Sequence, residues 1–153
     1  MPALGFSCSV RDRRIVVRGV LLRDGTAEEV FHFAAARGED LALQMRSLGN
    51  ALDTRLKDLE VESVVVRTAD HYAARSLAEY VAIRLRGEGV LLSTARAHVD
   101  RVVCLTGRAI GERCGTSKPK IDARAAELLS EKQKEATAAA LAAERLRSDA
   151  SHL

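Results

Sequence analysis

The stretch VESVVVRT, residues 61–68, restricts the fold more than any other part of the chain. Val64, Val65 and Val66 are consecutive and β-branched, so a strand here presents apolar side chains on both faces at once. Such a strand belongs inside a sheet covered on both sides, and the natural covering is helices. The strand also delivers Arg67 at its exit. A charge in that place must reach either solvent or a partner.

The flanking sequence supplies the rest of the sheet. LGFSCSV (4–10) reads as a first strand, RDRR (11–14) as a turn and IVVRGVLL (15–22) as a second strand. RDGT (23–26) is a hairpin signal, because Asp-Gly suits the type I′ turn, and EEVFHFA (28–34) closes a three-stranded antiparallel meander. Leu41, Met45, Leu48, Leu52, Leu56 and Leu59 recur at steps of three and four, which predicts a helix from about Glu39 to Asp58. After the valine strand, Ala74, Leu77, Val81 and Leu85 predict a second helix, stopped by Gly87 and Gly89. GVLLSTA (89–95) reads as a fifth strand. Val99, Val102, Val103, Thr106 and Ile110 then read as a third helix, ending near Gly111–Gly115. GTSKPK (115–120) is a break. From Ile121 to about Arg147 the chain is helical again and alanine-rich over 136–143, and Ser130–Lys134 leaves its continuity open. The expected class is α/β: a mixed five-stranded sheet, meander plus parallel strands, flanked by helices, as one domain over 1–147 with a frayed tail at 148–153.

Composition narrows the classes. A chain of 153 residues with 47% hydrophobic content can bury one core, and with 3% aromatics that core is aliphatic. So few rings argue against a base-stacking platform for single strands. Cys8, Cys104 and Cys114 are too scattered for a disulfide framework or a zinc cluster, and fit buried or incidental thiols in a reducing cytoplasm. MPALGFSCSVRDRR has too short an apolar part, with its charges after it, for a signal peptide, and no apolar run approaches the roughly 20 residues of a membrane span. The net charge of +3 is uneven: residues 101–120 carry five basic side chains against the single acid Glu112. That surplus favours a polyanionic partner.

The order and length of these elements resemble the RNase H-like fold and, more narrowly, the RuvC group of Holliday-junction resolvases. The resemblance covers about residues 4–145 and rests on an ordered set of segments. LGFSCSV stands where the family has a hydrophobic pair followed by aspartate. VVVR stands where it has a strand ending in glutamate. RAHVDRVVCLTG (96–107) is similar to its PxxVKxxxxG segment, SKPKIDARAAELL (117–129) to its lysine-containing loop and following helix, and KEATAAALAAERL (134–146) to its final DAxDAxAxA helix.

The resemblance implies a two-metal nuclease site, in which carboxylates converge on magnesium. On that pattern the first aspartate falls on Ser7 or the neighbouring Cys8, the glutamate on Arg67, the third acid on Glu135 and the fourth on Ala138. One acid in four survives, so no catalytic residue and no metal ligand are assigned, and no cofactor is expected. Arg67 reads either as a guanidinium filling the metal pocket or holding a phosphate, or as the first exposed residue after a buried strand. Magnesium enters only if Asp70, Asp122 and Glu135 rebuild a site. For Asp70 an N-cap role, for Asp122 a helix-dipole role and for Glu135 simple solvation are the plainer readings. His32 alternates with Phe31 and Phe33 and faces away from them, His98 begins the third helix at the surface, and His152 lies in the tail. GERCGTSK has the wrong spacing for a phosphate loop.

Arg96, Arg101, Arg108, Arg113, Lys118 and Lys120, with Arg67, are the candidate nucleic-acid contacts, and Arg101 and Arg108, seven apart, are expected to share a helical face. The expected function is a catalytically inactive RuvC-like protein binding structured DNA or RNA, as a homodimer or within a protein complex, with no membrane partner. The alternatives are a scaffolding subunit docking through the alanine-rich helix, or an active metal-dependent nuclease with relocated acids.

Overall fold

The computed structural model describes residues 2–70 and 78–150, the last four of these as backbone only. β1 (Ala3–Arg11) and β2 (Arg14–Arg23) pair antiparallel, from Ala3 with Leu22 to Arg11 with Arg14. Asp12 and Arg13 turn between them with φ of 49° and 61°, and Asp24 and Gly25 turn into β3 (Thr26–Ala34) with φ of 51° and 78°. Positive φ at both turn residues is the type I′ geometry, whose twist matches the strands it joins.

β4 (Ser63–Thr68) lies parallel to β1, pairing Ala3 with Ser63 through Phe6 with Val66, and β5 (Arg101–Thr106) lies parallel to β4. The sheet order is β3-β2-β1-β4-β5. β4 thus has a neighbour on each side, and Val64, Val65 and Val66 are fully buried, as consecutive valines require.

Helices α1 (Leu41–Lys57) and α2 (Ala78–Arg96) cover one face. Asp40 caps α1 by accepting from the Leu43 backbone N–H, and Leu48, Leu52 and Leu56 enter the core with Phe6, Val64 and Val66. Gln44, one turn before Leu48 on the same buried face, accepts from the Ile15 N–H and donates to the Arg13 and Glu39 carbonyls, which fastens the first hairpin to the helix. On the other face lie α3 (Gly107–Arg113), α4 (Lys118–Leu128) and, after a single 3-10 turn at Glu131–Gln133, α5 (Lys134–Ala150). The segment 121–147 is therefore two helices, broken at Leu129–Ser130.

Several expectations fail here. Residues 89–95 are not a strand but the end of α2, and the fifth strand is 101–106, inside the stretch expected to be a helix. Gly87 and Gly89 lack the positive φ of a helix stop. A Cβ on Gly87 would lie 2.7 Å from Ile15 Cδ1, so the glycine serves close packing of α2 on β2. The valines at 99, 102 and 103 mimic helical spacing, yet the β-branched run forms the sheet's edge. The buried face of α2 is also rotated: Leu85 is 50% exposed, whereas Ile83, Leu91 and Ala95 are buried. Ala74 and Leu77 lie outside the described residues.

A further failure concerns the alanines. Every residue from Ala136 to Ala143 is buried, so this stretch is no exposed docking face. A Cβ on Gly5 would sit 2.1 Å from Ala140 N and 2.2 Å from Ala136 O. The α5 backbone rests directly on β1, which needs glycine below and small side chains above. Ser63 ties the same helix to β4, donating to the Ala143 carbonyl at 2.6 Å.

Candidate functional site

The exits of β1 and β4 lie side by side. Their last paired residues are Phe6 and Val66, and Ser7 and Arg67 come next. Alternation sends Arg67 to the face of Val65, which packs against α5, and Ser7 to the face of Gly5, which touches the α5 backbone. Glu135, in the first turn of α5, lines one cavity with Ser7 and another with Arg67. Ala138 follows on the same helix face, fully buried. The structure therefore gathers Ser7, Arg67, Glu135 and Ala138 at one end of the sheet. Cys8 points the other way, into the core beside α1 and α2, where burial pushes its thiol far above the ordinary range.

Arg67 is not the first exposed residue after the strand; it is 3% exposed. It makes a two-pronged ion pair with Asp122 on α4, with Nη1 2.6 Å from Oδ1 and Nη2 3.1 Å from Oδ2. Burial alone would weaken its proton affinity, but the hydrogen bonds it donates to Asp122 and the charges of Glu135, Asp122 and Asp70 outweigh this and raise its pKa. Asp70 in turn accepts from the Arg108 N–H at 2.8 Å and pairs with Lys118 Nζ at 2.9 Å. Burial would raise its carboxyl, yet these bonds hold it below its ordinary value. Gly107 gives the guanidinium its room: a Cβ there would lie 2.7 Å from Arg67 Nη2 and 2.9 Å from Lys118 Cε.

Asp70, Asp122 and Glu135 thus do come together, but around a cation. Asp122 is an ion-pair partner rather than a helix-dipole residue. Asp70 caps the start of α3 across the fold, and Glu135 is half-buried and faces Arg67. A guanidinium has only donors, whereas a hard divalent ion needs several converging oxygens. Among the described residues no group of three or more His, Cys, Asp or Glu side chains could hold a metal ion. A two-metal centre does not fit this donor set.

The basic candidates are more dispersed than expected. Arg101 lies on β5 and Arg108 on α3, so they share no helical face. Arg96 pairs with Asp100 at 3.1 Å, Arg101 with Glu62 at 3.8 Å and Arg108 with Glu112 at 3.2 Å. Arg113 ends α3, exposed, and the exposed Lys120 side chain has no ion pair among the described residues. Arg108 and Lys118 line a cavity of about 720 Å³ that includes Asp70. Arg67, Arg84, Asp70, Lys118 and Glu135 line a smaller one of about 290 Å³. A third, of about 530 Å³, lies beside the first hairpin and is lined by Arg11, Arg14, Arg18, His32, Lys132 and Lys134. Sequence reading missed it, treating RDRR only as a turn; three arginines in four residues were the available signal. His32 is exposed as expected, and His98, in the turn after α2, bonds Asp53 at 2.7 Å. His71 and His152 lie outside the described residues.

No family model matches the sequence, and no curated protein does. Solved structures do. RuvC of T. thermophilus in complex with a Holliday junction substrate superposes with a TM-score of 0.70 at 14% identity, covering 98% of this chain and 96% of that one. A second structure of Thermus thermophilus RuvC gives 0.69 at 14% identity, covering 98% and 97%. The yeast mitochondrial Holliday junction resolvase Ydc2 gives 0.55 at 10% identity, covering 97% and 80%. The shared property at such identities is architecture, and the chain has the RNase H-like fold in its RuvC form.

Proposed function

We propose that this protein binds structured DNA or RNA without cutting it, as a dimer or within a larger complex. One observation carries the reading. At the end of β4, where the resembled nucleases place a metal-binding glutamate, this chain places a buried arginine already satisfied by Asp122. Nucleic-acid binding draws support from the RuvC fold, from a solved relative of that fold bound to a Holliday junction, and from the cationic side chains around the Arg67 end of the sheet. Phosphate contacts need no metal, so affinity can outlast the loss of the carboxylates. The scaffolding alternative loses its anchor, because the alanine face is buried.

The test is binding to labelled branched, duplex and single-stranded DNA and RNA at low and physiological salt, with and without magnesium. Shape-selective, salt-sensitive binding with intact substrate is the expected result. Magnesium-dependent cleavage that is lost in Glu135→Gln would replace this reading with an active nuclease. Absence of binding at low salt would replace it with a protein-only partner.

A further inference from the structure

The cavity beside the first hairpin differs from the rest of the site in its charge balance. It runs between the β1–β2 turn and the 3-10 turn that precedes α5. Arg11 and Lys132 are exposed, and neither has an ion-pair partner among the described residues. Arg14 is poorly answered: Nη1 reaches the Ala35 carbonyl only at 3.4 Å, Nη2 lies 3.9 Å from Asp12, and Nε has no acceptor. The acids nearby already answer other cations, two of which, Arg18 and Lys134, line the same groove. Glu29 pairs with Arg18 at 2.7 Å, Glu131 bonds Lys134, and Glu135 faces Arg67. Across the site, by contrast, Arg108 and Lys118 are each matched by an acid.

The cavities are neighbours that share lining residues. Glu135 borders both the hairpin groove and the Arg67 cavity. Asp70 and Lys118 border both the Arg67 cavity and the larger one beyond. They lie in turn around the Arg67 end of the sheet, and the cations without an ion-pair partner among the described residues, Arg11 and Lys132, lie in the hairpin groove. Among the described residues, His32 is the only ring-bearing side chain lining the hairpin groove, so that groove offers charge and hydrogen bonds rather than stacking.

We infer that the hairpin groove is a seat for a polynucleotide backbone, with Arg11, Arg14 and Lys132 taking its phosphates. The inference rests on the nucleic-acid reading above and adds to it a surface outside the 101–120 stretch. Contacts of this kind are independent of base sequence and set the register of the bound strand across Arg67.

The experiment titrates labelled branched and duplex DNA against wild type, Arg11→Ala/Lys132→Ala and Arg108→Ala/Lys120→Ala over a range of salt. Circular dichroism checks folding, which substitution of exposed side chains leaves intact. Each lost phosphate contact lowers affinity about tenfold at 0.1 M salt and reduces the log–log salt slope by about one. The expected result is therefore a loss of about a hundredfold and about two units of slope for Arg11→Ala/Lys132→Ala. Wild-type affinity and slope in that variant, with wild type still binding, would overturn the groove and leave the function standing. Polyglutamate competing as well as DNA at equal charge would reassign the groove to an acidic protein. If wild type binds no nucleic acid at low salt, both readings fall together.

Discussion

The Arg67–Asp122 pair makes a sharp energetic claim. The Arg67 side chain is 4% exposed and that of Asp122 is 16% exposed. Asp122→Ala leaves a buried guanidinium without its bidentate acceptor, a change that typically costs about 3–5 kcal/mol. Two features place this protein at the lower end: Asp122 is partly reachable by water, and Glu135 and Asp70 still act on the guanidinium. The expected loss is about 3 kcal/mol, equivalent to a fall of roughly 6–12 °C in Tm for a chain this size. Replacing both partners with apolar groups, Arg67→Met with Asp122→Leu, removes the stranded charge and should come within about 1 kcal/mol of wild type. Urea unfolding at pH 7 of wild type, Arg67→Met, Asp122→Leu and their double variant, analysed as a four-cornered cycle beside Asp122→Ala, separates these terms. A single substitution costing under about 0.5 kcal/mol would refute the reasoning. So would a double variant as damaged as the single one, because either result means the guanidinium does not depend on Asp122.

Other consequences follow from the same geometry. Magnesium at millimolar concentration should leave the urea midpoint unchanged, since a ligand without a site cannot shift the folding equilibrium; a raised midpoint would contradict the donor-set argument. Asp70→Asn should destabilise the protein at pH 7. The folded carboxyl titrates below its ordinary value, so its contribution is full above about pH 4 and is lost as pH falls through the folded value. The difference between Asp70→Asn and wild type should therefore shrink in acid, as pH-dependent unfolding would record. Gly5→Ala should cost more than about 3 kcal/mol, because its Cβ meets the α5 backbone at 2.1 Å. Gly107→Ala should cost less, because it meets the ends of two side chains; thermal melts compare them. Cys104 should react with a thiol reagent in the native protein, and the buried Cys8 only after unfolding.

Some of this was written locally in the chain. The Asp24-Gly25 turn follows from the φ > 0 that a type I′ hairpin requires, and the consecutive valines of β4 can be satisfied only between two covered faces. That Ser7, Arg67 and Ala138 stand where the resembled family has acids is a matter of residue identity, and which of them lie near one another follows once the fold is known. What spacing alone could not decide was set by long-range packing. At the sheet edge, Val102 and Val103 are only partly buried, so their spacing fits a helix as well as a strand. Gly87 was indistinguishable from a helix stop until Ile15, seventy-two positions away, was placed against it. The alanines of α5 are bare because Gly5 lies beneath them, and no local pattern records that neighbour. Most of all, Arg67 and Asp122 are separated by 55 positions and meet only because α4 folds back over the end of β4. Residue identity puts Ser7, Arg67 and Ala138 where the resembled family has acids, whereas the partner of Arg67 emerges only on folding, since an ion pair across the fold depends on distance in space, not along the chain.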